Sequence, residues 1–232
     1  MARLLRVKEY LMDITNPQVQ EYIRNLLPVR QGILAEMERD ARERKIPIVS
    51  PETAMFLYIL MKTQRAGEVL EIGTAIGYST YWLARGVEDT GGRVTAIEIS
   101  PGNIAEAREN WQRLGMKERV ELIEGDAVEV LPTLDREFDC IFLDANKSRY
   151  PELFSHCYRL LKPGGLWITD NVLFQGQVVG KDGDEPGIKT RPLVAKLKEF
   201  INMLTGHPGL ETVIVPVGDG MALSYKRGEG NE

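Results

Sequence analysis

The chain has 232 residues, a formal net charge of −5 and 43% hydrophobic residues. This length suits a single sizeable α/β core, and no apolar run is long enough for a transmembrane helix. The acidic balance argues against a broadly basic surface that binds nucleic acid. Cys140 and Cys157 lie in apolar stretches without metal-ligand spacing, so we expect reduced core thiols in a cytoplasmic protein.

Two amphipathic helical patterns occupy residues 17–45, and a proline-bracketed linker, IPIVSP, follows them. We predict an N-terminal helical extension over residues 1–46 and the ligand-binding part of a single-domain protein over residues 47–232. Pro51 suits the first position of the next helix, which continues to Lys62, and Ser50 is its expected cap.

Short apolar strands alternate with helices through the rest of the chain. Strands are predicted at 69–72, 93–99, 119–125, 138–144 and 166–170, and a hairpin of TVIVPV and GMALSYKR ends the pattern. Helices are predicted from 78, at 101–114, at 150–162 before a Pro-Gly-Gly turn, and at about 190–205. This alternation predicts an α/β fold, with a largely parallel, helix-covered sheet and an antiparallel edge pair.

The stretch VLEIGTAIGYS (69–79) carries the strongest ligand-binding signal. It joins a buried strand to a helix through Gly73 and Gly77, and Glu71 lies near the strand's carboxyl end, where such sheets bind ligands. The pattern G-x-x-x-G differs from the G-x-G-x-x-G that receives a pyrophosphate. A carboxylate facing the ligand repels pyrophosphate but suits the cationic methionine part of S-adenosylmethionine. A strand–turn–helix without a ligand is the alternative.

Polar residues end the next two strands as well. Glu98 has the position of an acid that binds both hydroxyls of a ribose, although a nicotinamide cofactor would also use an acid there. Asp126 suits an adenine amine, and Ala127 offers its backbone amide. A surface acid at a strand end is the alternative interpretation of Glu98.

The fourth and fifth strands end in oxygen ligands. Asp144 ends the fourth strand, and Asp170 and Asn171 end the fifth, which together make an all-oxygen set suited to Mg²⁺. The alternative is that each acid caps a following helix. Lys147 lies within reach of the same site, and repulsion from a bound cation would favour its neutral form, as a general base requires.

Five ordered motifs, EIGTAIGYS, IEIS, GDA, FLDANKSRY and TDNVL, resemble those of the class I metal-dependent O-methyltransferases of the catechol and caffeoyl-coenzyme A type. The resemblance implies a Rossmann-like seven-stranded sheet in a homodimer. It implies catalytic roles for Lys147, as base, and Asp144, and Mg²⁺ ligands at Asp144, Asp170 and Asn171. The S-adenosylmethionine contacts that it implies are Val49, Glu71, Gly73, Ser79, Glu98, Asp126, Ala127 and Asp144.

The acceptor is harder to predict. TDNVLFQGQV, RPLVAKLKEF and HPGLETVIVPVGDGMALSYKR resemble a bacterial branch of the family that methylates 5-hydroxyuridine at the tRNA wobble position to 5-methoxyuridine. A small catechol-like or hydroxycinnamoyl acceptor is the alternative, and no substrate-orienting glutamate matches near the C-terminus. Two other classes, a nicotinamide-dependent dehydrogenase and a catalytically silent binding protein, fit the motifs less well.

Basic residues form two groups that either solvate helix faces or contact an anticodon loop. The candidate stacking residues for a base are Tyr78, Tyr150 and Phe174. The basic groups are Lys181, Lys189, Arg191, Lys196 and Lys198, and, nearer the N-terminus, Arg24, Arg30, Arg39, Arg42, Arg44 and Lys45.

Overall fold

Helices and strands alternate along the chain as the sequence predicts. The computed structural model describes residues 13–179 and 192–228. The helices are α1 (Pro17–Leu26), α2 (Ile33–Arg44), α3 (Pro51–Gln64), α4 (Tyr78–Gly86), α5 (Pro101–Arg113), α6 (Ala127–Val130), α7 (Tyr150–Leu160) and α8 (Pro192–Gly206). The strands are β1 (Glu68–Ile72), β2 (Arg93–Glu98), β3 (Val120–Glu124), β4 (Phe138–Leu143), β5 (Leu161–Thr169), β6 (Leu210–Val215) and β7 (Met221–Lys226).

The seven strands form one sheet in the order β3-β2-β1-β4-β5-β7-β6. Strands β1 to β5 pair in parallel, whereas β7 is antiparallel to both β5 and β6. The predicted, mostly parallel seven-stranded sheet is therefore confirmed. The predicted terminal hairpin also forms, but its second strand inserts next to β5 and leaves β6 at the edge.

The Pro-Gly-Gly segment at 163–165 differs from the prediction of a turn between helix and strand. Helix α7 ends at Leu160, and β5 begins at once, because Leu161 pairs with Phe138 of β4. Pairing resumes where Leu166 meets Cys140, so residues 162–165 bulge opposite a single residue of β4. Proline lacks the N–H that a ladder needs, and Gly164 has a φ of 80°, which explains the bulge.

Two hydrophobic clusters pack on the sheet. Helices α2 to α5 contribute to one cluster, and α7 and α8 contribute to the other. Helix α2 buries Met37 and Ala41 in the first cluster, whereas α1 buries none of its residues. Helices α1 and α2 belong to the predicted extension, whose boundary at residue 46 stays a prediction. Cys140 and Cys157 are buried free thiols, as predicted.

The cap of α3 is confirmed, because the Ser50 hydroxyl accepts a hydrogen bond from the Thr53 amide at 3.2 Å. Within residues 13–179 and 192–228, every helix is too short or too polar to cross a bilayer. Three of the predicted basic residues, Lys181, Lys189 and Arg191, lie outside the described residues, as does most of the glycine-rich segment 176–187.

Candidate active site

A cavity of about 620 Å³ lies at the carboxyl ends of the parallel strands. Its walls come from the residues that follow β1 to β5, from the segment 47–53 before and at the start of α3, and from residues 218–219 between β6 and β7. The predicted site residues that line it are Val49, Gly73, Ser79, Glu98, Asp126, Ala127, Asp144, Lys147, Asp170 and Asn171. Parallel strands thus bring together residues that are spread over more than 120 positions of the sequence.

The glycine turn after β1 is shaped by close packing. A Cβ on Gly73 would lie 2.3 Å from the Asp144 carbonyl oxygen, so the turn rests directly on the end of β4. A Cβ on Gly77 would lie 2.3 Å from Nε1 of Trp111, which donates a hydrogen bond to the Gly77 carbonyl at 3.1 Å. Both glycines have positive φ, 90° and 84°. The turn therefore requires glycine for space as well as for conformation.

Glu71 lies behind the cavity wall and does not line it. Its side chain is fully buried and accepts hydrogen bonds from the hydroxyls of Thr74 at 2.9 Å, Ser79 at 2.5 Å and Thr80. Burial raises the pKa of Glu71 from 4.5 to about 7, although these hydroxyls lower it. The carboxylate does not face the cavity as expected, because α4 places its hydroxyls over it, and a role for Glu71 in donor binding stays a prediction.

Glu98 lines the cavity at the end of β2 and is held by backbone amides. Oε2 accepts from the Ala75 amide at 2.8 Å, and Oε1 accepts from the amides of Ile99 at 3.0 Å and Ser100 at 2.9 Å. The residue is 8% exposed, so it is not the surface acid of the alternative interpretation. A carboxylate has further lone pairs, and its fixed position leaves them available to ribose hydroxyls.

Asp126 caps α6 at the end of β3. Oδ1 accepts from the Val128 amide at 2.9 Å, and Oδ2 lies 3.6 Å from Arg149. Arg149 also lines the cavity and was missed in the sequence, since a single arginine after a strand carries no distinctive pattern. The Ala127 amide is next to Asp126 at the cavity wall, where an adenine ring would find a donor and an acceptor together.

Asp144 and Asp170 end neighbouring strands, because Leu143 of β4 pairs with Thr169 of β5. Neither acid caps a helix: Asn146 caps the short turn of helix Lys147–Arg149, and the Asp170 carboxylate accepts from the Asn171 amide at 2.7 Å. Burial raises the pKa of both acids. For Asp170 the value reaches about 7, and repulsion from Asp144 adds to the effect of burial.

The residues present fit a hard divalent cation. The carboxylates of the buried Asp170 and the partly buried Asp144 repel each other and lie next to the Asn171 amide side chain, an all-oxygen donor set that a cation would stabilise. Asn171 has a φ of 58°, a conformation that asparagine tolerates better than most residues. In the described part of the chain, no three His, Cys, Asp or Glu side chains are grouped to hold a metal, so any ion here would rest on two acids and Asn171.

Residues 218–219 complete the wall beside these acids, and the sequence prediction missed them. Asp219 and Gly218 line the cavity, and a Cβ on Gly218 would lie 3.9 Å from Oδ1 of Asp170. Thr53, buried at the start of α3, lines the cavity and packs directly against Gly218. An acid between two glycines, GDG, is the only sequence signal that could have marked this turn.

The predicted stacking residues have different environments. Tyr78 lines the cavity, and its hydroxyl donates to Glu38 at 2.6 Å. Tyr150 is fully buried against Phe200, and Phe174 packs on the same hydrophobic cluster, so neither lines the cavity. Stacking by Tyr150 or Phe174 is therefore not supported, because the Tyr150 ring packs on Phe200 and the Phe174 side chain packs on the hydrophobic cluster outside the cavity.

Most of the predicted N-terminal basic group is paired with acids. The ion pairs join Arg24 to Glu52, Arg30 to Glu38, Arg39 to Asp40 and Arg44 to Glu106. In the second group, Lys196 lies 3.6 Å from Glu152. These pairs agree with the interpretation of solvated helix faces.

The chain is similar to known proteins over most of its length. Residues 29–227 match the O-methyltransferase family. A catechol O-methyltransferase of Niastella koreensis is 35% identical over 217 residues, which cover 89% of this chain and 95% of the relative. An O-methyltransferase from Bacillus cereus in complex with SAH superposes with a TM-score of 0.80, 31% identity and coverage of 90% and 97% of the two chains. TomG from Streptomyces achromogenes, in complex with SAM, gives a TM-score of 0.80, 32% identity and coverage of 91% and 96%.

Proposed function

This chain belongs to the O-methyltransferase family, and from that premise we propose that it methylates 5-hydroxyuridine at the tRNA wobble position with S-adenosylmethionine as donor and Mg²⁺ as cofactor. One observation carries the proposal. Lys147, Asp144, Asp170 and Asn171 line the same cavity as Gly73, Ser79 and Glu98. A methyl donor held by the second group would face an acceptor held by the first.

The donor half of the cavity has the chemistry that S-adenosylmethionine needs. Glu98 offers carboxylate lone pairs to the ribose, and Asp126 with Ala127 offers an acceptor and a donor to adenine. Ser79 lines the wall, and its hydroxyl is fixed by Glu71 behind it. Glu71 therefore positions other side chains and adds an acidic group near the cationic end of the donor.

The acceptor half has the groups that methyl transfer to oxygen requires. Asp144, Asp170 and Asn171 would hold Mg²⁺, which supplies Lewis-acid chemistry and a template for two vicinal oxygens. Lys147, which lines this half of the cavity, would accept the proton of the acceptor hydroxyl. The acceptor oxygen then attacks the methyl carbon, the S–C bond breaks with its electron pair on sulfur, and a methyl ether and S-adenosylhomocysteine result.

The proposed acceptor is a nucleoside whose base carries two oxygens on neighbouring ring atoms. The C5 hydroxyl of 5-hydroxyuridine is next to the C4 carbonyl, much as the two hydroxyls of a catechol are neighbours. The motifs between residues 170 and 227 support the nucleoside, since they resemble the tRNA-modifying branch. A small catechol-like phenol is the second candidate, which is favoured by a relative named catechol O-methyltransferase.

Methyl transfer from labelled S-adenosylmethionine tests both candidates. The acceptors are tRNA that carries 5-hydroxyuridine and free catechol, each with and without EDTA. Label in tRNA alone, lost with EDTA, is the expected result, and label in catechol alone would contradict the RNA acceptor. Lys147→Ala should lose turnover while calorimetry still detects donor binding, whereas the exposed Lys117→Ala should retain turnover.

We also propose a homodimer, as the family resemblance implies. Helix α1 supports this proposal, because it exposes Val19, Tyr22, Ile23 and Leu26 at helical spacing and buries none of its residues. Light scattering should find a dimer for the wild type and a monomer for the double variant Tyr22→Asp, Leu26→Asp. Val213→Asp, on the exposed face of edge strand β6, is the control, and a monomeric wild type would contradict the proposal.

A further inference from the structure

Asp219 is a carboxylate in the acceptor half of the cavity that the proposed reaction leaves without a role. It lies close enough to Asp170 and Lys147 for charge interactions with both. Among the described residues, no three acids are grouped to hold one metal ion, and the proposed function already assigns the cation to Asp144, Asp170 and Asn171. Its function must therefore be sought in contact with something else in the cavity.

The turn that carries Asp219 is tightly held. The Asp219 carbonyl accepts from the Leu173 amide at 3.1 Å, and the Gly220 carbonyl accepts from the Val172 amide at 3.0 Å. A Cβ added to Gly218 would lie 2.9 Å from Oγ1 of Thr53, and a Cβ added to Gly220 would lie 2.3 Å from Cγ of Leu173. The turn is thus fixed between α3 and the segment that follows Asp170 and Asn171.

One of the two carboxylate oxygens of Asp219 accepts a hydrogen bond within the protein. Oδ1 accepts from the Gln175 amide at 2.5 Å, which fixes the side chain, whereas no other described residue donates a hydrogen bond to Oδ2. A fixed, partly buried carboxylate with an open oxygen recognises an N–H or O–H donor. The Asp219 carboxylate would therefore favour acceptor molecules that carry an N–H or O–H donor next to the reacting oxygens.

We propose that Asp219 orients the acceptor by accepting a hydrogen bond from a donor adjacent to its two vicinal oxygens; this rests on the proposed function. In a 5-hydroxyuracil ring, the reacting C5 hydroxyl, the C4 carbonyl and the N3–H occupy consecutive positions, so N3–H is that donor. A catechol has C–H groups in the corresponding positions and leaves the carboxylate without a partner. Asp219 therefore discriminates a uracil-type acceptor from a simple catechol.

The test compares two anticodon stem-loop RNAs, one with 5-hydroxyuridine and one with N3-methyl-5-hydroxyuridine. The wild type should prefer the first by about 10- to 100-fold in kcat/KM, and in equilibrium binding with S-adenosylhomocysteine present, because a hydrogen bond to a charged group is lost. Asp219→Ala should reduce this preference to less than about threefold. Asp219→Asn, which keeps an acceptor oxygen and the bond from Gln175, should retain part of it.

Three controls separate the possible failures. Calorimetry should show unchanged S-adenosylmethionine affinity in both variants, and Asp135→Ala, on an exposed loop before β4, should behave as the wild type. Equal methylation of the two RNAs by the wild type would overturn the role of Asp219 while leaving the proposed function intact. A loss in Asp219→Ala that is equal for both RNAs would also overturn it. Methylation of catechol but neither RNA would refute the proposed acceptor itself.

Discussion

Replacement of the buried Glu71 by glutamine should change how the stability of the protein depends on pH. The carboxyl has a pKa of about 7 in the folded protein, mainly because of burial, against an ordinary value of 4.5 for a glutamate. The difference of about 2.5 pH units corresponds to about 3 kcal/mol, at 1.36 kcal/mol per unit. Since the folded-state pKa is raised, the favourable contribution is fully present below pH 4.5 and is lost as pH rises through 7.

Glutamine has the same shape and no charge, so its contribution does not change over this range. The unfolding free energy of Glu71→Gln relative to wild type should therefore rise by about 3 kcal/mol between pH 4.5 and pH 8.5. Urea unfolding, in EDTA and without S-adenosylmethionine, measures this difference at each pH. Glu124→Gln, at the exposed end of β3, is the matched control and should show no such trend. A difference that is independent of pH would refute the raised pKa.

Two further predictions concern the glycine turn and the division of the cavity. Gly77→Ala should destabilise the protein by about 2–4 kcal/mol, because its Cβ would meet the Trp111 ring. Gly91→Ala, which is also at positive φ but has open space around it, should destabilise the protein by about 1 kcal/mol. Equal losses of stability in thermal or urea unfolding would contradict the packing argument. Glu98→Gln should weaken S-adenosylmethionine binding about 10- to 100-fold in calorimetry. Asp170→Ala should abolish turnover and leave that affinity within about threefold, and equal losses of donor binding in both variants would show that the cavity is not divided in this way.

The residues at the strand ends could be predicted from the sequence because the carboxyl ends of parallel strands meet at one edge of the sheet. Each of β1 to β5 contains a short apolar run, and the residues at or just after its carboxyl end reach the same edge of the sheet. Glu98, Asp126, Asp144 and Asp170 could therefore be assigned to one cavity without knowing any long-range contact. The rule requires only the identity of each strand and its direction.

The environment of Glu71 could not be predicted from its position in the strand alone. Alternation along β1 indicates a position near the site, but it does not say which face of the sheet the side chain occupies. That depends on α4, whose first turn brings Ser79 and Thr80 over the carboxylate. The contact joins residues that are eight and nine positions apart, and it is decided by the packing of the helix rather than by the composition of the segment.

The position of β7 determines which turn lines the cavity beside Asp170. Strand β5 runs towards the edge of the sheet that holds the cavity, and β7, which pairs with it in the opposite direction, must begin at that edge, as the contact between Thr169 and Ala222 shows. The turn that precedes β7 is thereby brought beside Asp170, and Asp219 enters the cavity with it. The sequence predicts the antiparallel edge pair but not which of its two strands lies next to β5. The insertion of a single antiparallel strand thus adds Asp219, the proposed acceptor-binding group, to a sheet whose parallel strands already supply the proposed ligands of the donor and the metal.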